Sequence, residues 1–208
     1  MKKTGIMITI VVILGIILLS VILVGYLGNI HKATYEVNDE NDDGRTFTVE
    51  NTDVGYGDEY AAWALLQLSN SYSFGVKFDN VSIPQGATIL EAYVELYSIG
   101  TPGHSNPNCK IYCDTSYNVV NFSTKGVLDI CGRKYTHSYV LWNTTAPYDK
   151  WVKTISIVGL IQEVANRENW TPGNSMAVLF VSQGLAGYSA AFDNYNTGYP
   201  AKLYVEWR

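Results

Sequence analysis

Alternating apolar and polar residues predict that much of this chain forms β-strands. The clearest segment is 89–99, where from Leu90 to Leu96 every second residue is apolar and the residues between are Glu or Tyr. Successive side chains of a strand point to opposite faces, so one face is expected in the core and the other in water. The residues predicted to face the core are Leu90, Ala92, Val94 and Leu96.

Shorter runs of the same character, bounded by Gly, Pro, Asn or Ser, predict further strands. They lie at 45–50, 74–79, 109–113, 176–182, 189–192 and 202–207. The segment 61–69 fits either a strand or a short helical turn, because its apolar residues match both periods.

One segment outside the amino-terminal region has the period of a helix. Apolar residues recur at helical spacing within 156–167, and Ser156 stands where an N-cap is expected. Many short strands with a single helix predict an all-β fold, a jelly-roll-like β-sandwich with one accessory helix, over residues 37–208.

The amino-terminal segment predicts a membrane span. Residues 6–27 form a run of 22 residues without a charge, and as a helix such a run is about 33 Å long, enough to cross a bilayer. Two lysines precede it and an acidic cluster follows it, so the positive-inside rule places residues 1–5 in the cytoplasm. Residues 28–36 are then a tether, and the sandwich lies outside the cell or on a virion envelope. A pilin-type leader is the alternative.

Composition narrows the classes of partner. Charged residues make up 16 % of the chain, which carries 16 Tyr, 5 Trp and a formal charge of −5. This acidic balance argues against nucleic acid and anionic lipid surfaces as partners of the sandwich. The predicted partners are the membrane, further copies or other surface proteins, and glycans.

Three cysteines suggest one disulfide in an oxidising compartment. On a strand, Cys109 and Cys113 share a face with their Cα atoms about 13 Å apart, too far for a bridge. Cys131 is therefore predicted to pair with either Cys109 or Cys113, and an intermolecular bond is the alternative.

Sequons for N-glycosylation agree with an external location. They occur at Asn80, Asn121, Asn143 and Asn169.

Several segments resemble a known family, and they do so in the family's order. Residues 78–93 resemble the opening strands of the DNRLRE-type and disaggregatase-related β-sandwich modules of archaeal and bacterial surface proteins. Residues 163–174 are similar to that family's helix end and Trp-x-x-Gly-Asn turn, and residues 200–207 to its final strand. The resemblance implies a jelly-roll-like sandwich carried on surface and adhesive proteins, without an active site.

An acidic segment has the spacing of a calcium loop. Asp39, Asn41 and Asp43, with Glu50 at the twelfth position, place oxygen ligands where such a loop needs them. A solvated acidic turn is the other interpretation, because no helix is predicted on either side. Calcium is the only cofactor that the sequence suggests.

Aromatic residues near the predicted turns are candidates for stacking on sugar rings. Trp142 and Trp151 are predicted to fill the core, whereas Trp170 lies in a turn and is the best candidate for an exposed ring. The predicted ligand-binding set is Trp170, Asn174, Tyr188 and Tyr195.

No nucleophile elbow, zinc motif or phosphate loop is present, so no catalytic residue is predicted. Two non-enzymatic functions remain. The first is a membrane-anchored structural subunit of a cell-surface or virion-surface assembly, and the second is an anchored carbohydrate-binding or adhesion module.

Overall fold

The computed structural model describes residues 28–49, 52–54, 66–69, 72–99, 108–122, 130, 132–143, 147–183, 189–193 and 195–208. The chain divides into two compact units, residues 1–31 with Arg208, and Lys32–Trp207. The fold below is that of the second unit.

Short strands dominate the described residues. They are β1 (His31–Glu36), β2 (Asp43–Val49), β3 (Thr52–Val54), β4 (Leu66–Ser69), β5 (Tyr72–Phe78), β6 (Ile89–Ser98), β7 (Asn108–Cys113), β8 (Val140–Asn143), β9 (Lys150–Lys153), β10 (Met176–Ser182), β11 (Ser189–Phe192) and β12 (Lys202–Trp207). One α-helix, α1 (Val158–Ala165), and a 3-10 turn (Tyr195–Thr197) complete the elements described.

Pairing joins these strands into one continuous sheet that folds into the two layers of the sandwich, which we call the first and the second sheet. In the first sheet β6 lies between β12 and β9, and β1 lies beside β12. In the second sheet β10 lies between β5 and β7, with β2 on the other side of β5 and β8 on the other side of β7. Strand β11 joins the two layers, because it pairs with both β6 and β4.

The core between the layers is rich in aromatic rings. Phe74 and Phe180 stack with centroids 4.3 Å apart, and Trp142 lies 5.6 Å from Phe180 and 5.9 Å from Phe192. All four side chains are buried. Burying a large side chain contributes about 1.5–3 kcal/mol, so this cluster is a main source of stability. Trp142 lies in the core, as predicted.

Helix α1 covers one end of the core and is shorter than predicted. Its buried face consists of Leu160, Ile161, Val164 and Ala165. Ile157 occupies the N-cap position and makes no side-chain capping bond, so the predicted cap at Ser156 is wrong. Its backbone N–H instead donates to Ala92 O at 2.9 Å, which shows that attachment to β6 sets the start of the helix.

Strand β6 follows its predicted alternation except at its first residues. Ala92, Val94 and Leu96 face the core, but Leu90 is exposed and Ile89 is buried in its place. The register with β12 shifts between Glu206 and Trp207. Such a bulge exchanges the faces of the residues beyond it, which accounts for the wrong assignment of Leu90.

A second, smaller hydrophobic cluster lies on the outer face of the second sheet. It is formed by Val119, Phe122, Ile130, Ala177 and Leu179. We call residues 114–122 the covering segment, because they supply the first two of these side chains. The sequence predicted no structure over most of 121–139, since irregular segments of this kind have no period to read.

The predicted fold class needs one correction. The described residues form an all-β sandwich with one helix, as predicted, but they contain no helix long and apolar enough to cross a membrane. Helix α1 has 8 residues, or about 12 Å, against roughly 30 Å of hydrocarbon. This overturns the membrane-spanning part of the fold class; the predicted span 6–27 lies outside the described residues. The segment 28–36, predicted as a tether, contains strand β1.

Candidate ligand-binding face

The outer face of the first sheet displays aromatic rings between charged side chains. Because Ala92, Val94 and Leu96 of β6 face the core, Tyr93, Glu95 and Tyr97 face outward. In the neighbouring strand β9, Trp151 stands opposite Tyr97 and Lys153 opposite Glu95. Lys202 and Tyr204 stand opposite Glu95 and Tyr93 on β12.

Two of these rings, Tyr97 and Trp151, form one cluster with Tyr199, which lies between the 3-10 turn and β12. We call these three rings the Trp151 platform. Tyr97 and Tyr199 stack with centroids 3.9 Å apart and planes 10° apart. The Trp151 ring meets Tyr97 edge to face at 5.4 Å. Trp151 is 39 % exposed and Tyr199 is 42 % exposed. The platform therefore offers rigid apolar surface to the solvent.

Hydrogen-bonding groups surround the platform. The Tyr97 hydroxyl donates to Asp149 Oδ1 at 2.6 Å, and this bond raises the pKa of Tyr97 above its ordinary value. Lys202 Nζ lies 4.8 Å from the centroid of the Trp151 ring and 2.9 Å from Glu36 Oε1. Donors and acceptors thus lie beside an exposed ring.

A second ring pair lies on the same face. Tyr93 and Tyr204 stack with centroids 4.8 Å apart. Lys153 Nζ lies 4.1 Å from the centroid of the Tyr93 ring and 2.9 Å from the Tyr93 hydroxyl, and this hydrogen bond raises the pKa of Lys153. The second pair is also framed by polar groups.

Three ion pairs lie on this face. Lys153 pairs with Glu95 at 3.6 Å, Lys202 with Glu36, and Lys32 with Glu206. Exposed pairs of this kind add little stability, but they leave the face without a strong field of either sign. This surface therefore favours a ligand of low charge.

The structure corrects the predicted role of Trp170. Its side chain is only 2 % exposed, and its Nε1–H donates to Ile83 O at 2.9 Å. Trp151, predicted for the core, is exposed instead. The run Lys150–Lys153 has a lysine on each face, so its alternation could not show which way Trp151 points. Tyr93 and Tyr97, in contrast, already fell on the polar face of a recognisable strand.

The other predicted ligand-binding residues are not brought together on the platform. Asn174 Nδ2 donates to Tyr117 O at 2.7 Å, which is a structural contact between the turn that contains Asn174 and the covering segment. Tyr195 is exposed in the 3-10 turn. Tyr188 lies outside the described residues.

The acidic segment makes the contacts of a polar turn. Asp39 Oδ1 accepts hydrogen bonds from Asn41 N at 2.8 Å and from Asn41 Nδ2 at 2.7 Å. Asp43 accepts from Tyr195 N at 2.8 Å, and burial raises the pKa of its carboxyl to about 7. In the described part of the chain no cluster of three or more His, Cys, Asp or Glu residues could hold a metal ion. Glu50 lies outside that part, and calcium stays a prediction.

The structure describes only some of the residues predicted to form a disulfide or to carry N-linked glycans. Cys109 and Cys113 are buried as free thiols, and burial raises the pKa of both. Cys131 is not described, so its bridge to either one stays a prediction. Of the sequon residues, Asn80, Asn143 and Asn169 are exposed and Asn121 is partly exposed; glycosylation also stays a prediction.

Comparison with known proteins gives no family. No family model matches the chain, and no curated protein matches it.

Solved structures share only a loose likeness. A family 35 carbohydrate-binding module from Clostridium thermocellum has 12 % identity and a TM-score of 0.34 over 83 % of this chain and 97 % of that one. Desmodium yellow mottle tymovirus has 5 % identity and a TM-score of 0.30, over 86 % and 84 %. A non-crystalline cellulose-specific module, CBM28, has 10 % identity and a TM-score of 0.30, over 77 % and 76 %. TM-scores this low support no inference about function.

Proposed function

We propose that this protein is a carbohydrate-binding surface module, and that it binds through the Trp151 platform. One observation carries the proposal: an exposed tryptophan and an exposed tyrosine cluster on a sheet face, with a carboxylate and an amine at their margin. A cluster of this kind needs an explanation, because large rings on a surface are enriched where proteins bind ligands. This proposal takes up the second function predicted from the sequence, a carbohydrate-binding or adhesion module, and leaves out the membrane anchor.

The chemistry of a sugar fits this surface. A pyranose ring presents C–H groups on one face, which pack against aromatic rings, and hydroxyls at its edge. Asp149 and Glu36 can accept hydrogen bonds from hydroxyls, and Lys202 can donate to them. Because the lysines of the face are paired with carboxylates, a neutral sugar suits it better than a uronate or a sulfated sugar.

The spacing of the two ring pairs favours an oligosaccharide. Tyr93 and Tyr97 are four residues apart on β6, which corresponds to about 13 Å. That span exceeds one sugar ring, so a chain lying along β6 can contact both pairs. Affinity is expected to rise from monosaccharide to oligosaccharide and then to level off once both pairs are covered.

The test is binding of the full-length protein to a glycan array, followed by calorimetry with the best oligosaccharide. Trp151→Ala and Tyr199→Ala should each weaken binding by about tenfold or more, as expected for central contact residues. Tyr117→Ala is the matched control, since Tyr117 is an exposed tyrosine on the covering segment. The proposal would be refuted if Tyr199→Ala and Tyr117→Ala lost equal affinity, or if the wild-type protein bound no glycan on the array.

A second candidate is self-assembly through strand β8, which continues the prediction of a structural subunit. In the described part of the chain β8 pairs with β7 alone and ends the strand order of its sheet. Leu141 on this strand and Tyr139 before it are exposed. Unprotected edges with apolar side chains favour pairing with another chain. Light scattering should show oligomers that Leu141→Lys dissociates, and a wild-type protein that stays monomeric at all concentrations would exclude this function.

A further inference from the structure

A lysine is buried between two carboxylates on the second sheet. Phe74, Val76 and Phe78 of β5 face the core, so Lys77 points to the outer face, where it is only 4 % exposed. Its Nζ lies 2.7 Å from Asp42 Oδ1 and 2.7 Å from Asp79 Oδ1. Burying an ammonium group is costly unless it is fully paired. The site is therefore a built feature of the fold.

Backbone contacts hold the side chains of Lys77 and Asp42 close together. Lys77 N donates to Asp42 O at 2.7 Å, which joins the start of β2 to β5. The covering segment closes the site, because Phe122 N donates to Asn41 O at 2.8 Å and Val119 N to Ser175 O at 3.3 Å. Val119 and Phe122 are themselves buried, and so are Lys77 and Asp42, so water has little access to this pair.

The two carboxyl groups differ in their surroundings. Asp79 is partly exposed and accepts hydrogen bonds from both Lys77 and Ser175. Asp42 is 1 % exposed, and its Oδ2 is buried without a hydrogen-bond partner among the described residues. An ionised carboxylate with a bare buried oxygen is unfavourable. One proton on Asp42 makes the cluster of one ammonium and two carboxyl groups neutral overall.

We propose that Lys77 and Asp42 condense to an amide, an intramolecular isopeptide bond, with Asp79 as the proton acceptor. The amine and the carboxyl group are held side by side, because Lys77 Nζ lies 2.7 Å from Asp42 Oδ1. Holding two reacting groups together in this way supplies part of the activation that amide formation needs.

The atoms of the step balance. The ammonium of Lys77 passes one proton to the carboxylate of Asp79, which leaves a neutral amine. The amine nitrogen attacks Cγ of the protonated Asp42, and the C–N bond forms. Asp79 relays a proton from nitrogen to the departing hydroxyl, the C–O bond breaks, and water leaves. The products are the amide, one water and a protonated Asp79, so no oxidant or further reactant is needed.

The experiment is a tryptic map of the reduced, full-length protein by tandem mass spectrometry. Trypsin needs a free lysine, so it should leave the bond after Lys77 uncut. A branched peptide should join Lys77 to Asp42, with a mass lower by one water than the sum of its two parts. Lys153 and Glu95, a pair 3.6 Å apart on the outer face of the first sheet, are the internal control and should remain unlinked.

Variants separate the roles of the three residues. Lys77→Arg and Asp42→Ala should each abolish the branched peptide. Asp79→Asn keeps both reacting groups and the shape of the site, and it should reduce the linked fraction at least tenfold. The wild-type map alone can overturn the proposal: cleavage after Lys77 together with an unmodified peptide containing Asp42 would show that the cluster is an ion pair only.

Discussion

Single residues determine how the covering segment packs, and Gly75 is the clearest case. A Cβ at Gly75 would lie 2.5 Å from Phe122 Cζ and 2.9 Å from Leu179 Cδ2. Gly75→Ala should therefore destabilise the fold by about 1–3 kcal/mol, as overpacking does in a filled core. A fall in the midpoint of thermal unfolding, followed by circular dichroism, measures the effect.

The matched control for this prediction is Gly159→Ala. Gly159 lies in helix α1, and nothing comes within 4 Å of a Cβ placed there. The variant should keep or raise the midpoint, because alanine stabilises a helix by about 1 kcal/mol relative to glycine. If Gly75→Ala behaved like this control, the close packing of Phe122 against the sheet would be contradicted.

At this scale the sequence predicted some positions well and others poorly. Tyr93 and Tyr97 fell correctly on the outer face, because a long strand with clean alternation fixes the direction of every side chain. Trp151 was predicted to be buried and is exposed, whereas Trp170 was predicted to be exposed and is buried. The direction of Trp170 depends on a hydrogen bond to Ile83 O, which joins residues 87 positions apart and leaves no local signal.

Among the elements, helix α1 is tied to the loop before β8 through Glu163. Its Oε1 accepts from His137 N at 2.8 Å and lies 3.1 Å from His137 Nδ1. Burial raises the pKa of Glu163, but the bonds from His137 and Ser138 outweigh that effect, so the pKa is lowered overall. The bonds to Glu163 thus stabilise the fold at any pH above the ordinary pKa of a glutamate. This stabilisation is lost as the pH falls through the lowered pKa that Glu163 has in the folded protein.

Glu163→Gln should consequently lower the unfolding midpoint by about 2–4 °C at neutral pH, which corresponds to roughly 1 kcal/mol. The difference from wild type should disappear in acid, once Glu163 is protonated in the folded protein. Glu168→Gln, an exposed glutamate beyond the same helix, serves as the control and should change little. A difference that stays constant from acid to neutral pH would disagree with this account.

Elements with a strong period were predicted at nearly their observed bounds. Strands β6, β7, β10, β11 and β12 and helix α1 were all found. Their errors lie at the ends, where tertiary contacts decide: a bulge opposite Glu206 changed the face of Leu90, and attachment to β6 replaced the expected cap of α1.

At the scale of the whole molecule, the class of the sandwich followed from pattern, but the covering segment and the cluster that it encloses did not. Lys77 was part of an alternating strand and had no feature to separate it from a solvent-exposed lysine. Its burial results from Asp42, Asp79 and the covering segment meeting in three dimensions. Such meetings of distant residues have no signature in a single sequence.

The proposed isopeptide bond predicts a large difference in global stability. It would close a loop between residues 35 positions apart, and the loss of chain entropy in the unfolded state corresponds to about 4 kcal/mol. Asp79→Asn, which keeps the lysine and Asp42 but slows the condensation, should unfold about 8–16 °C below wild type, because about 2–4 °C accompanies each kcal/mol at this chain length.

The contribution of the lost ion pair can be separated from that of the bond. Asp114→Asn disrupts the buried pair between Arg133 and Asp114, with atoms 2.9 Å apart, where no amide can form because a guanidinium is too weak a nucleophile. Breaking a buried pair costs about 3–5 kcal/mol by itself, so Asp114→Asn should lower the midpoint. This lowered midpoint should not change as the sample ages, because no bond can form there. Aged samples of Asp79→Asn should regain part of their stability as the linked fraction grows in the peptide map. A midpoint that stays low while the bond accumulates would mean that the cross-link does not stabilise this fold.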